Sequence, residues 1–304
     1  MRTMRAHFLS LAAGLAVAVP AHAIIVCELD GQHVNPANGH TTAGKTGLMR
    51  CRDGEGGPLQ REQELRDGKF VGLVRFYKDG VLHKEHRVNE RGNRDGLARE
   101  FAATPGADNR VLREETLRDG RTVGLARSWH PNGALRRVSF HGDDSREQAV
   151  AEFTDDGRLA ELRCGPAPQL APAADDAAWC GHRGAAATVE LFGSGGALRG
   201  RITHERGERR RVESFHDSGK PREIVEIRAD GGTERSFAAD GTLRREREWT
   251  GSGNTRTTVL EREFHETGTP ARERRWTPET RSARLASEAT WYQNGQPRER
   301  HEYR

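Results

Sequence analysis

Residues 68–82 read GKFVGLVRFYKDGVL, residues 120–136 read GRTVGLARSWHPNGALR, and between them Gly92 opens GNRDGLAREF. These are one unit written three times. In each, a glycine is followed four residues later by a second glycine, then Leu, any residue and Arg, with an aromatic close behind. Short alternating segments such as Leu73 to Tyr77 place every second residue on one face of a strand. Asp79-Gly80 and Asn132-Gly133 are dipeptides that accept positive φ at tight hairpin turns. The unit therefore reads as a β-hairpin.

A second signature carries the pattern further along the chain: an aromatic, three residues, then glycine. It occurs at Phe76, Trp129, Phe153, Phe192, Phe215, Phe237, Phe264 and Trp291, with Phe101 joining the series through a slipped glycine at Gly106. Two residues beyond the glycine stands Leu or Pro, as in Leu82, Leu135, Leu159, Leu198, Pro221, Leu243, Pro270 and Pro297. A repeat of roughly 23 to 28 residues holds two strands and two turns. A lone hairpin is marginal in water, so the units must stack edge to edge, with one aromatic per unit as their spine. Arg and Glu at exposed strand positions then pair across strands, which accounts for the charge-rich composition without invoking a ligand.

The Gly-x-x-x-Gly-Leu-x-Arg cores at Gly68, Gly92 and Gly120, with the aromatics and Asn/Asp-Gly turns that follow, resemble the variant MORN repeats of bacterial proteins in the YwqK antitoxin-like family. The resemblance covers residues 65 to 163 well. Over 186 to 304 only the aromatic-to-glycine half persists. It implies an all-β, elongated meander of repeated β-hairpins, and an antitoxin-like or immunity role in which the chain blocks a toxin in the periplasm.

The N-terminus has the three parts of a secretory signal: Arg2 and Arg5, an apolar run from Phe8 to Val19, and Ala21-His22-Ala23 as a cleavage site after Pro20. Residues 1–23 are thus expected to be removed, leaving a periplasmic or secreted protein with no integral membrane segment. The whole chain is 34% hydrophobic, 6% aromatic and 31% charged, with a mean hydropathy of −0.84. Such a chain cannot fill a large compact core, yet its charges are mixed in sign, which argues against charge-driven disorder. Without the signal's two arginines, 47 basic residues face 45 acidic ones. That balance argues against nucleic acid as a partner, and the basic run Arg206 to Arg211, beside Glu205, Glu208 and Glu213, reads as a solvated strand face.

Four cysteines, Cys27, Cys51, Cys164 and Cys180, enter an oxidising compartment. Three pairings are open to them, and nearest-neighbour pairing would staple the N-terminal segment and close a loop around residues 165–178. The rival is a zinc site of Cys27, His33, His40 and Cys51, whose spacings fit no standard finger. Residues 165–178, GPAPQLAPAADDAA, read as a Pro/Ala-rich linker. The organisation that follows is a signal (1–23), a disulfide-stapled N-terminal segment with a degenerate repeat (24–64), a first repeat block (65–164), the linker, and a divergent second block (179–304). One continuous sheet and two separate ones both remain open.

Residues 39–46, GHTTAGKT, match the phosphate-loop pattern GxxxxGK[ST]. Gly44 to Gly54 also align with GKFVGLVRFYKDG if two residues are lost, which makes the Gly-Lys-Thr part of a decayed repeat. A working loop needs a strand before it and a helix after it, and the sequence predicts neither. His83 and His86, His141-Gly142-Asp143-Asp144 and His216-Asp217-Ser218 hold metal-binding or triad residue types. Their spacing along strands and turns does not converge them. The expectation is a non-enzymatic scaffold with no cofactor and no metal, gripping a protein partner, or alternatively binding lipid headgroups or cell-wall polymer. A hydrolase would require a pocket where distant His, Asp and Glu residues meet.

Overall fold

A computed structural model describes residues 25–103, 109–278 and 283–303. The expected signal at 1–23 and Gly106 lie outside the described residues. The protein is all-β and divides into two antiparallel meanders. The first sheet holds β1 (Ile25–Leu29), β2 (Gln32–Val34), β3 (Gly47–Asp53), β4 (Leu59–Arg66), β5 (Lys69–Lys78), β6 (Val81–Val88), β7 (Gly96–Phe101), β8 (Val111–Arg118), β9 (Arg121–Trp129), β10 (Leu135–His141), β11 (Glu147–Phe153) and β12 (Leu159–Arg163). The second holds β13 (Ala187–Phe192), β14 (Leu198–Glu205), β15 (Glu208–Phe215), β16 (Pro221–Arg228), β17 (Gly231–Phe237), β18 (Leu243–Thr250), β19 (Thr257–Phe264), β20 (Pro270–Pro278), β21 (Ala283–Trp291) and β22 (Pro297–Glu302). Strands lie in sequence order in both sheets, except that β1 inserts between β2 and β3.

The aromatic-to-glycine signature has one geometric cause. In seven hairpins the aromatic ends the first strand and pairs with the residue six positions on: Trp129 with Leu135, Phe153 with Leu159, Phe192 with Leu198, Phe215 with Pro221, Phe237 with Leu243, Phe264 with Pro270 and Trp291 with Pro297. The glycine between them has φ between +78° and +91° and donates its N–H back across the turn, as Gly219 does to the His216 carbonyl at 2.8 Å. A three-residue turn closed by a left-handed glycine is a standard hairpin solution, and glycine adopts that φ without strain. Phe76 departs from the series. Its hairpin closes through a two-residue Asp79-Gly80 turn, so Tyr77 takes the place opposite Leu82 and Phe76 pairs with Lys84.

Adjacent turns are tied to one another. His130 Nε2 lies 2.9 Å from the Phe153 carbonyl, His216 Nε2 3.0 Å from that of Phe237 and His265 Nε2 3.0 Å from that of Trp291. Asn132, Lys220 and Thr269 donate to the Asp155, Asp240 and Gln293 carbonyls in the same three places. Arg158 donates to the Gly196 carbonyl at 2.9 Å and lies over the Phe192 ring, carrying the row of turns from one sheet to the other. His216-Asp217-Ser218 is therefore a turn whose histidine holds the next hairpin.

Residues 165–178 separate the two sheets, but they are packed rather than free. Leu170, Ala174 and Asp176 are buried, and a short helix α2 (Asp176–Trp179) is capped by Asp175. Leu170, Ala174 and Cys180 form one core with Val138, Ala149, Ala151 and Leu162 of the first sheet and Val189 and Ile202 of the second. The segment is a plug over the seam. Cys164–Cys180 ties it to the end of β12, and Cys27–Cys51 joins β1 to β3 within an N-terminal cluster that includes Leu29, Val34, Met49 and Leu65. With both cysteines so bonded, the zinc alternative has lost its thiolates, and no group of three or more metal-ligating side chains occurs among the described residues. Paired disulfides fit an extracellular or periplasmic setting. No described helix is long and apolar enough to cross a membrane.

Candidate functional site

The Gly-Leu-x-Arg motif builds a surface. Leu and Arg two residues apart share a face, and the motif falls on every second strand: Leu48 and Arg50 on β3, Leu73 and Arg75 on β5, Leu97 and Arg99 on β7, Leu125 and Arg127 on β9. The intervening strands supply Glu62, Glu85 and Glu114 in register, so that Arg50, Glu62, Arg75, Glu85, Arg99, Glu114 and Arg127 stand opposite one another in turn. Ion pairs of 2.9–3.7 Å join each member to the next. At about 4.8 Å per strand the row is about 29 Å long. The glycine ahead of the Leu makes this register possible: Gly72 and Gly124, at φ +72° and +68°, sit where β5 and β9 bulge against β4 and β8.

The acids lie beneath and the guanidinium groups above. Glu62, Glu85 and Glu114 side chains are 12%, 15% and 22% exposed, against 28–54% for the four arginines. Burial pushes Glu62 up, but the Tyr77 hydroxyl at 2.7 Å and the charges of Arg50 and Arg75 outweigh it and hold the carboxyl below its usual range. Burial, then the hydrogen bond to Glu62, raises Tyr77 to about 12. Glu62 therefore stays ionised at neutral pH. Beside the ladder runs the row of four leucines, of which Leu97 is 37% exposed, while Leu125 packs against the core beneath the plug.

Past β9 the same face changes character. Opposite Arg127 stands Val138, then Ala151, then Leu162; opposite Leu125 stand Phe140 and Ala149. Here the plug covers the sheet. One face thus carries a covered apolar end and an uncovered striped end.

On the opposite face a concavity of about 610 Å³ includes Arg113, Glu115, Arg137, Ser139, His141, Glu147 and Glu152. Ser139 Oγ lies 3.2 Å from His141 Nε2, and His141 Nδ1 3.2 Å from the Ser145 carbonyl. These are nucleophile and base types at contact distance. Acyl transfer also needs an accessible hydroxyl and donors aimed at an oxyanion. Ser139 is 3% exposed, its strand pairs with neighbours on both sides, and Glu147 is held by Arg137 and Arg163. The contact reads as a buried serine satisfied by its neighbour. A second concavity of about 480 Å³, between the β11–β12 hairpin and the plug, is lined by Leu135, Phe153, Pro172 and Trp179, with Phe153 and Trp179 edge to face at 6.1 Å.

The phosphate-loop letters serve the repeat. A one-turn helix α1 (Gly39–Thr42) precedes the Gly-Lys-Thr and strand β3 follows it, the reverse of the order a nucleotide loop requires. The Lys45 carbonyl accepts from Gly68 N–H at 2.8 Å, and Thr46 Oγ1 accepts from Asp67 N–H at 2.9 Å. Two repeats on, the Arg94 carbonyl accepts from Gly120 N–H at 2.7 Å and Asp95 Oδ2 from Asp119 N–H at 3.0 Å. Lys45-Thr46 and Arg94-Asp95 are equivalent positions, each holding the next turn. His141 to Asp144 form another turn, with Asp143 paired to Arg118 and Asp144 accepting from Arg146 N–H.

Sequence reasoning weighed His86 only as a metal ligand with His83 and did not single out His204. His86 is stacked on Phe76 at 5.8 Å and His204 is fully enclosed. Burial, then nearby arginines, lowers His86 to about 4, and burial, Arg209 and His182 lower His204 to about 4. A positive charge at position 204 would face Arg209 and the His182 imidazole. The local signal was its place at i+2 from Ile202, on the face of β14 that meets the plug.

No protein-family model matches the chain, and no curated protein matches it. Among solved structures it is similar to that of TarM, at 17% identity over 34% of this chain and 19% of that one, with a TM-score of 0.24. It is also similar to the TcdB2–TccC3–Cdc42 crystal structure (11% identity, 88% and 16% covered, TM-score 0.19) and to the Photorhabdus luminescens Tc holotoxin pore (8% identity, 90% and 14% covered, TM-score 0.17). The chain spans less than a fifth of the length of these proteins, and likenesses at such scores carry no inference about what it does.

Proposed function

We propose that this chain is an exported, MORN-like repeat scaffold that grips another protein, with an antitoxin-like or immunity role in the periplasm. The observation that carries the reading is the uncovered striped end of the first sheet, a leucine row beside a neutralised ion-pair ladder. At β10–β12 the same face is covered by the protein's own plug, which gives an internal example of the apolar contact this face accepts. Because every ladder arginine touches a glutamate, the surface offers little free charge to a polyanion, and a protein surface with apolar anchors and a polar rim complements it better.

The test is affinity capture from the source organism's periplasm, beside a Leu73→Glu/Leu97→Glu double variant. The expected result is one stoichiometric partner, lost with the variant, whose toxicity in the periplasm is relieved by co-expressing the wild-type chain. Co-sedimentation with anionic vesicles or peptidoglycan, with no stoichiometric protein, would replace this reading by envelope binding.

A further inference from the structure

His204 is an expensive residue for its position. Its side chain is fully buried, neither ring nitrogen has a hydrogen-bond partner, and it lies where β14 meets the plug. An apolar side chain there would leave no polar group stranded, whereas a neutral imidazole without partners forfeits its hydrogen bonds to water. A charged one is worse. Among the described residues the groups around it supply no counter-ion: Arg209 stands opposite on β15, and His182 approaches from residues 181–186 with its own Nε2 unpartnered. Glu205 is turned to the other face and held by Arg210, Asp175 is paired with Arg183, and one Asp176 oxygen accepts from the Gln169 and Leu170 amides. Ala187, opposite on β13, carries no charge.

We propose that the contact between the plug and the second sheet is an acid-released latch with His204 as its trigger. The covalent layout gives the latch a direction. Cys164–Cys180 pins the plug to the end of β12, so the plug stays with the first sheet when the contact parts. Residues 181–186 then act as the hinge, with left-handed Gly181 and Gly184 and no strand. Opening exposes His204, Ile202 and Val189 and lets the imidazole take up a proton in water.

The lowered proton affinity of enclosed His204 supports the same sense. Because its pKa is depressed on folding, closure is favoured above the ordinary histidine value near 6.5. It weakens as pH falls, tenfold per unit, until the closed form itself takes the proton near pH 4. The full effect is a shift of a few hundred-fold in the closed-to-open ratio.

Hydrogen exchange on the intact, disulfide-bonded chain tests this, with rates corrected for intrinsic pH dependence. Between pH 7 and 4.5, β14 amides are expected to lose protection about tenfold per pH unit below 6.5, while β11, beneath the pinned plug, keeps its protection. His204→Leu should abolish the loss in β14; His86→Gln, in the first sheet, should leave it intact. Equal loss in the wild type and His204→Leu, or none in the wild type, overturns the proposal. Should His204→Leu fail to fold at pH 7, a direct NMR titration of the His204 ring in the wild type decides. A value near 6.5 overturns the latch and a value below 5 supports it.

Discussion

Gly68 and Gly120 occupy the same place in two copies of one turn, yet alanine should cost far more at the first. Both follow an aspartate with φ near +49°, and both are left-handed, at +77° and +83°. That conformation disfavours any residue with a Cβ by about 1–2 kcal/mol, and Gly120→Ala should show this cost alone, since a Cβ there meets nothing within 4 Å. At Gly68 the same atom would stand 2.9 Å from the Thr42 carbonyl oxygen, 3.0 Å from Gly44 N and 3.1 Å from Ala43 Cα. These are backbone atoms and cannot turn aside. Overpacking of this kind adds about 1–3 kcal/mol, so Gly68→Ala should total about 2–5 kcal/mol. Urea unfolding followed by tryptophan emission, with Trp129 reporting on the first sheet, measures both variants under one protocol. A Gly68→Ala cost equal to that of Gly120→Ala within about 0.5 kcal/mol would refute the packing of GHTTAGKT onto the turn.

Millimolar ATP with magnesium should leave the melting temperature unchanged, because α1 ends before Gly44, the Lys45 ammonium donates to Gln32 and Thr46 Oγ1 accepts from the Asp67 amide; a rise of several degrees would reinstate nucleotide binding. Glu261, whose side chain is 8% exposed, joins Arg245, Arg247 and Arg274. Burial pushes its carboxyl up, but the hydrogen bond from Arg245 and the three positive charges outweigh that and hold it below the usual range. Its stabilisation is therefore present above about pH 4.5 and lost as pH falls through the lower folded value. Glu261→Gln should cost about 1–3 kcal/mol at pH 7 and progressively less below pH 4 in thermal melts. Replacing Cys164 and Cys180 together by alanine frees a loop spanning 16 positions, and about 3 kcal/mol should disappear from the unfolding free energy measured without reductant.

The repeat was legible because its turns dictate their own residues. A left-handed position selects glycine, the strand-closing pair selects an aromatic opposite Leu or Pro, and both leave fixed spacings in the sequence. The phosphate-loop match dissolved for the same reason, since Lys45-Thr46 aligns with Arg94-Asp95. What stayed hidden depends on contacts between distant segments. Residues 165–178 have the composition of a linker, and only the apolar stretch of the sheet face after Arg127 gives them something to cover. Trp249 lies outside the aromatic series; it is buried where a Cβ on Gly232 would come within 2.2 Å of its ring, and Arg256 closes the other side at 4.2 Å. The adjacent glycines 231 and 232 were the available signal, since glycine inside a strand often marks a close approach. The ion-pair ladder was foreseeable as pairs but not as a row, because its continuity rests on the bulges at Gly72 and Gly124.

The ten-stranded sheet shows why such a chain can stand with so little core. Its well-buried residues sit near the plug and around Trp249, and β20, β21 and β22 contain no fully buried residue. Adjacent positions feed opposite faces, and both faces are charged. Glu234, Arg247, Glu261 and Arg274 stand in register on one side, and Arg235, Glu246, Arg262 and Glu273 on the other. Each pair contributes only a few tenths of a kcal/mol to about one, less than a buried aliphatic side chain. The glutamate-below, arginine-above layering compensates in part, since the guanidinium stems shield the ladder and Arg201 and Arg274 lie over Phe215 and Trp276. Stability in this half is therefore a sum of neighbour terms rather than a property of one core. Pro297 and the exposed charges of β22 guard the last edge against a further strand. The first sheet differs in carrying Leu48, Leu73 and Leu97, the last of them 37% exposed, beside its ladder, and the proposed partner contact rests on that difference rather than on the shared repeat.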